Sequence, residues 1–353
     1  MRLRTTVLPI ITIVLIMTGG WAFSQTRSDS RSDLAQALDS IPADTGVAGF
    51  TDWAGIRKTL GFGDVRSKVD RTSVIDSSFK RNFSARSIMQ GFTEEMQSSY
   101  GWSIVDTRWE MYAQSSKGAF LSVGLNDGLK SSTVTAGLKK MGYRKVDGLW
   151  SIPTDTLSGL IPNLPNTFLR AAYFPREKLI YFGDNTPFMQ SVVKVHTSHG
   201  RTLAGVAAAR MTAQPLNGSL SAVVSNRTES CEATGLSGQP ADVRTQAANI
   251  VSPFGKLSSY RYAGRAIFDD GDDSHLTFSM AFDTAARASS QLELRRQLTT
   301  GPFLGRTGQL QEVLQLRSTH TDGPAAWLDF GFDADKASFM NGDGPLLFAA
   351  CSA

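Results

Sequence analysis

Apolar residues recur along this chain with two clear periods. Leu276, Phe278, Met280 and Phe282 occupy every second position, which predicts a half-buried strand. Val134, Leu138 and Met141 fall at i, i+4 and i+7, the stripe of a surface helix. The two patterns alternate as a recurring unit: an apolar segment, an acidic or amide residue, then a helical segment. Val47–Asp52 leads into Trp53–Leu60, Phe120–Asp127 into Ser132–Met141, and Leu179–Asp184 into Pro187–Val195. Leu276–Asp283 likewise leads into Ala285–Leu298, and Trp327–Asp333 into Ala334–Met340. The shared polar position fits a helix start, where Asp, Asn and Thr accept from unpaired amides. Thr186 followed by Pro187 predicts a cap with a proline in the first turn.

Hairpins are predicted between Ala171–Phe174 and Leu179–Phe182, Tyr260–Phe268 and Leu276–Phe282, and Val313–Leu316 and Ala326–Phe332. Further helices are predicted over Asp33–Ser40, Asp64–Ser99 with a break near Asn82, Leu203–Ala213 and Asp242–Ile250. The expected fold class is α+β: repeated strand–helix units and hairpins, mostly antiparallel sheets with helices packed on one face. The apolar run Pro345–Cys351 predicts a final paired strand.

The first 24 residues depart from this pattern. Arg2 and Arg4 precede an apolar run from Val7 to Met17, and small residues Ala22 and Ser24 follow. That is the layout of an export signal. The run is about half of the roughly 20 residues a spanning helix needs. Residues 1–24 are therefore expected to act as a signal peptide or an N-terminal membrane anchor. Either way the remaining chain faces outward, because the positive end stays inside. The expected location is secreted, or attached to the outer face of the cytoplasmic membrane. Residues 25–32 are a polar spacer. Two α+β halves are expected, 33–232 and 242–353, with a seam around the polar stretch 233–241.

Composition is that of an ordinary globular protein. The net charge of +4 includes the two leading arginines. Basic residues cluster only at Lys139, Lys140, Arg144 and Lys145, which reads as a solvated helix end. No nucleic-acid partner is expected, since no basic stripe exists. The two cysteines, Cys231 and Cys351, are expected to form a disulfide, because an exported chain meets an oxidising environment. Closing that long loop stabilises by roughly 4 kcal/mol on the chain-entropy account.

The chemical motifs are weak. Ser77 and Lys80 match the S-x-x-K of penicillin-recognising enzymes, and Arg306-Thr-Gly308 imitates their third element, but the middle element is missing. His196 and His199 supply two of the ligands zinc needs. Asp269–Asp273 with His275, and Asp333, Asp335, Asn341 and Asp343, lack the form of a calcium loop. Trp102, Trp109, Trp150 and Trp327 read as core or strand-pair residues. No catalytic, cofactor or metal residues are assigned.

Three stretches together resemble a loose group of exported actinobacterial proteins of unknown function. They are Leu38–Thr45 followed by Val47–Asp52; Gly142-Tyr143 with Asp147–Trp150; and Ala285–Leu298, containing Ala288, Arg295 and Arg296, before Gly301-Pro302. The resemblance implies an exported, membrane-attached or free protein and carries no catalytic residues across. The expectation is a non-enzymatic, envelope-associated or binding protein without a cofactor. Its alternatives are an extracytoplasmic hydrolase with a non-local catalytic set and a carrier of an apolar ligand. Its only expected membrane contact is the N-terminal segment, if uncleaved.

Overall fold

The computed structural model describes residues 32–63, 65–234, 236, 239–269, 273–304, 307–332 and 346–351. From Asp33 these pack as one unit around a twelve-stranded sheet in which each neighbouring pair is antiparallel. The sheet grows outward from its middle. β1 (Val47–Thr51) lies between β2 (Thr107–Ser115) and β8 (Ser221–Asn226). Beyond β2 come β3 (Gly118–Leu125), β7 (Leu179–Gly183), β6 (Arg170–Phe174), β5 (Leu149–Ser151) and β4 (Arg144–Val146). Beyond β8 come β9 (Tyr262–Asp269), β10 (Ser274–Ala281), β12 (Ala325–Phe332) and β11 (Leu314–Asp322). The β8–β9 pairing runs from Ser221↔Ile267 to Asn226↔Tyr262, so strands from the two halves share one sheet.

The α+β class with an antiparallel sheet is what the sequence predicts. The helices, however, cover both faces. β7 shows why: Ile180 and Phe182 point into one core and Leu179 and Tyr181 into the other, all buried. A strand apolar on both sides needs cover on both. The larger core is closed by α2 (Trp53–Thr59), α3 (Lys68–Lys80), α4 (Thr93–Tyr100), α5 (Ser131–Lys140), α6 (Thr154–Leu160), α9 (Arg227–Thr234), α10 (Ala241–Val251) and α11 (Ala285–Gln297). The smaller core is closed by α1 (Asp33–Asp39), α7 (Thr186–Thr197) and α8 (Ala207–Ala213).

Local chemistry sets the element ends. Asp52 caps α2, its carboxylate accepting from Gly55 N at 2.8 Å. The cap of α7 is Asn185 rather than Thr186, accepting from Phe188 N at 2.9 Å. Thr284 caps α11, which leaves Asp283 to pair with Arg261 at 2.5 Å. Asn82, at φ 61°, marks the expected break after α3, and an irregular segment follows before α4. Asp147 and Gly148, both at positive φ, turn the β4–β5 hairpin, a conformation that short polar residues and glycine tolerate.

The final strand expected over Pro345–Cys351 is not formed in the described part. Leu347–Ala349 makes a single 3-10 turn instead. Its carbonyls are taken by side chains, so no strand partner is needed. Arg295 donates to Phe348 O at 2.6 Å and to Ala350 O at 2.9 Å, and Tyr260 donates to Ala349 O at 2.9 Å. Phe348 packs against Phe278 and Phe330, each 5.0 Å away between ring centres. Cys351 is bonded to Cys231 of α9, with Cα atoms 5.4 Å apart. The predicted helix over Ala334–Met340, the leader and the spacer up to residue 31 lie outside the described residues. Among the described residues, no helix is long and apolar enough to cross a membrane.

Candidate functional site

One row of residues crosses the middle of the sheet in register: Tyr112, Gly49, Val223, Arg265 and Phe278, on β2, β1, β8, β9 and β10. Cross-strand neighbours point to the same face. Gly49 leaves a gap in that row, and Arg86 fills it from the irregular segment after α3. A Cβ on Gly49 would stand 2.8 Å from Arg86 Nε and 3.1 Å from Nη2. The guanidinium therefore lies directly on β1. Arg265 rises two strands away; at about 4.8 Å per strand, its backbone is roughly 10 Å from Gly49. Val223 sits between them, and both arginines line one cleft.

The cleft has a volume of about 220 Å³. Val47, Val223, Phe278 and Met280 give it an apolar floor, and Glu229, Ser230 and Thr234 of α9 form a wall. Asn226, the last residue of β8, accepts from Glu229 N at 3.1 Å and so starts α9 where the strand stops. Glu229 Oε1 lies 3.1 Å from where a Cβ on Gly46 would stand, which places its carboxylate against the entry to β1. Ser225 and Ser230 share a hydrogen bond at 2.5 Å between their hydroxyls.

Both ends of the cleft are anchored. Arg86 is held through its neighbours: Phe83 is fully buried, and Ile88 N donates to Glu110 Oε1 at 3.0 Å. Glu110 sits on β2 with no exposure, and burial pushes its carboxyl up to about 7, against the opposing pull of hydrogen bonds from Ser87 and Ile88. Burial also lowers the Arg86 guanidinium from its ordinary value, with Tyr112 working the other way. At the opposite end, Thr234 Oγ1 and the Tyr260 hydroxyl both donate to Ala349 O, at 3.2 and 2.9 Å. The disulfide joins the same two segments. Burial raises the Tyr260 hydroxyl; it stays protonated and committed to Ala349. Chemically, this set can hold and orient an anionic group against an apolar surface.

A second, more open cleft of about 650 Å³ lies among α1, α7 and the β6–β7 hairpin, lined by Asp39, Ser40, Phe174, Glu177, His196 and His199. The two histidines seen in the sequence thus share a cleft. His196 Nδ1 is 3.1 Å from the Tyr181 hydroxyl and its Nε2 is 4.0 Å from Glu177; burial lowers its pKa. Ser40 donates to Ala37 O at 2.6 Å. Among the described residues, no group of three His, Cys, Asp or Glu is placed to hold a metal.

The remaining sequence candidates are scattered. Ser77 and Lys80 lie on the last turn of α3, with Lys80 exposed, and Arg306 is outside the described residues. Asp269 pairs with Arg81, and Asp273 with Arg317. The cluster of Asp333, Asp335, Asn341 and Asp343 falls outside the described residues. Trp102 is a core residue stacked on Phe182, Trp109 is buried in the opposite core, and Trp327 stacks on His320. Lys140 donates to Ser98 O, and Lys145 lies over the Trp150 ring. Arg295, part of the family-like stretch, is a buried tie to the C-terminal turn.

Sequence reasoning passed over Arg86, Arg265, Glu229 and Gly49. Two signals were there to be used: a glycine in the middle of Val47–Thr51, and a lone arginine among the small and apolar residues of Ala263–Ile267.

No protein-family model matches the chain, and no curated protein matches it. Among solved structures, crystal forms I, III and IV of TP0453 are similar, with TM-scores of 0.38, 0.35 and 0.40 at 10%, 9% and 9% identity. The alignments cover 87–88% of this chain and 95–96% of that one. A likeness at this level bears on neither mechanism nor ligand.

Proposed function

We propose that this chain is an extracytoplasmic, non-enzymatic binding protein that takes a small molecule in the arginine-lined cleft between the sheet and α9. One observation carries the reading: the guanidiniums of buried Arg265 and half-buried Arg86 and an apolar floor meet in one walled cleft, held at both ends by buried contacts. Concave, mostly apolar sites with a few placed polar groups are the usual form of small-molecule sites. The export part is supported by the basic-then-apolar start of the sequence and by the Cys231–Cys351 bond, since such bonds persist in oxidising compartments.

Saturation-transfer NMR with octanoate, octanol and octylammonium tests the reading on the oxidised chain. Ala263, half-buried on the cleft floor, is replaced by tryptophan to fill the space. At least one probe should receive saturation from the parent chain and lose it in Ala263→Trp. No probe with an Ala263-dependent signal would refute the reading.

A further inference from the structure

We infer that the open cleft among α1, α7 and the β6–β7 hairpin is a second binding site, and that it takes a neutral polyhydroxy ligand of mono- or disaccharide size, one hydroxyl of which bridges His196 and Glu177. The site lies on the smaller-core side of the sheet, apart from the arginine-lined cleft. His196 stands in the last turn of α7, where two rings fix its plane. Its ring centre is 4.3 Å from that of Phe174 and 5.4 Å from that of Tyr181. Tyr181 is fully buried on β7, and burial raises its hydroxyl, which keeps its proton. Burial lowers the His196 imidazole, against the pull of Glu177, and so favours its neutral form. A neutral imidazole carries one ring proton, and the partners of the two nitrogens decide where it sits. The Glu177 carboxylate, 4.0 Å from Nε2, draws the proton to that nitrogen, and Nδ1 then accepts from the Tyr181 hydroxyl at 3.1 Å.

That tautomer sets an N–H donor beside a carboxylate acceptor at the cleft wall. Their separation of 4.0 Å is too long for a direct hydrogen bond. An oxygen about 2.8 Å from each closes the gap, with nearly a right angle at that oxygen. Such an oxygen accepts from Nε2–H and donates to Glu177, and a hydroxyl does both. An ionised carboxylate has no proton for Glu177, and an ammonium has no lone pair for His196. The turn that presents Glu177 is pinned: Lys178, at φ 52°, donates to Asp127 O at 3.0 Å and to Leu129 O at 2.7 Å. On the α1 side, Thr202 donates to Asp39 at 3.1 Å, a hydroxyl–carboxylate pair of the same kind. Half-buried Phe174 adds an aromatic ring to the lining, a surface that suits the C–H face of a sugar. The volume of about 650 Å³ lies inside the range of roughly 300–1,000 Å³ usual for small-molecule sites. Hydroxyls around the edge of a compact ring, with C–H groups on its face, match this lining.

Saturation-transfer NMR titrations on the oxidised chain at neutral pH use methyl glucoside, cellobiose and maltose. Cyclohexanol serves as a one-hydroxyl control and tetramethylammonium as a cation without a hydroxyl. At least one sugar should receive saturation from the parent chain. It should bind about tenfold weaker to Glu177→Ala and to His196→Phe, the scale of a lost hydrogen bond to a charged group. Glu177 is exposed, so its truncation spares the fold, and His196→Phe keeps the ring packing while removing the N–H. Ala263→Trp should leave the sugar signal unchanged, which separates this site from the arginine-lined cleft. Nitrogen-15 shifts of the parent chain should show His196 protonated at Nε2. A proton on Nδ1 would overturn the bridging geometry whatever binds. Saturation of no sugar, or a sugar signal that Glu177→Ala and His196→Phe both leave intact, would overturn the inference. Cyclohexanol binding as tightly as the sugars would refute the polyhydroxy class, and so would Glu177-dependent binding of tetramethylammonium in their place.

Discussion

Glu110 gives the sharpest stability prediction. Its carboxyl is fully buried on β2, and burial raises it from 4.5 to about 7. The folded state therefore holds this proton over a window in which the unfolded chain has released it. Stability from this group is complete below about pH 4.5 and is lost as pH rises through about 7. From 4.5 to about 7, at about 1.4 kcal/mol per tenfold, the loss is about 3 kcal/mol. Glu110→Gln keeps an oxygen that can accept from Ile88 N and cannot ionise. The variant should match the parent within about 1 kcal/mol at pH 5 and exceed it by up to about 3 kcal/mol at pH 8. Asp52, which burial pushes up to about 6, titrates in the same window in both chains and cancels in the comparison. Urea unfolding of the oxidised chain at both pH values, read by tryptophan fluorescence, gives the two differences. Parallel pH profiles for parent and variant would refute the assignment of a buried, proton-holding carboxyl at this position.

Arg295→Met should cost roughly 1–3 kcal/mol for each buried carbonyl left unpaired, because it strands those of Phe348 and Ala350 in the core and that of half-buried Ser258; thermal melting checks this, and a change of a degree or two would contradict it. Replacing Cys231 and Cys351 together by serine should lower stability by roughly 2–5 kcal/mol, seen as a lower urea midpoint. Gly49→Ala should fold but melt lower, consistent with an overpacking cost of roughly 1–3 kcal/mol, since its Cβ would meet Arg86 Nε at 2.8 Å.

What was legible in the sequence follows a physical line. Local periodicity showed itself: the alternation in Leu276–Phe282 is β10, and the stripe of Val134, Leu138 and Met141 is the buried side of α5. The cysteine pair was readable because compartment and count constrain it. The cleft was not, because its residues meet only through register. Gly49, Val223 and Arg265 become neighbours when β1, β8 and β9 pair, and Arg86 arrives from a segment with no period at all. The C-terminal turn was misread for a related reason. Pro345–Cys351 is apolar enough for a strand, but three side chains from elsewhere satisfy its carbonyls. Capping was read one residue late at α7 because Asn185 and Thr186 are both competent, and only the backbone decides between them.

The bond between Cys231 and Cys351 also changes the connectivity of the molecule. It turns 120 residues of sequence separation into a covalent ring that carries β9, β10, β11 and β12. A single peptide-bond cut anywhere inside that ring opens it without releasing a piece: both new ends remain attached to the parent molecule. The third of the sheet lying beyond β8 thus keeps its covalent link to the rest after one cut anywhere between Cys231 and Cys351. After such a cut, reduction of the bond frees the stretch on its C-terminal side.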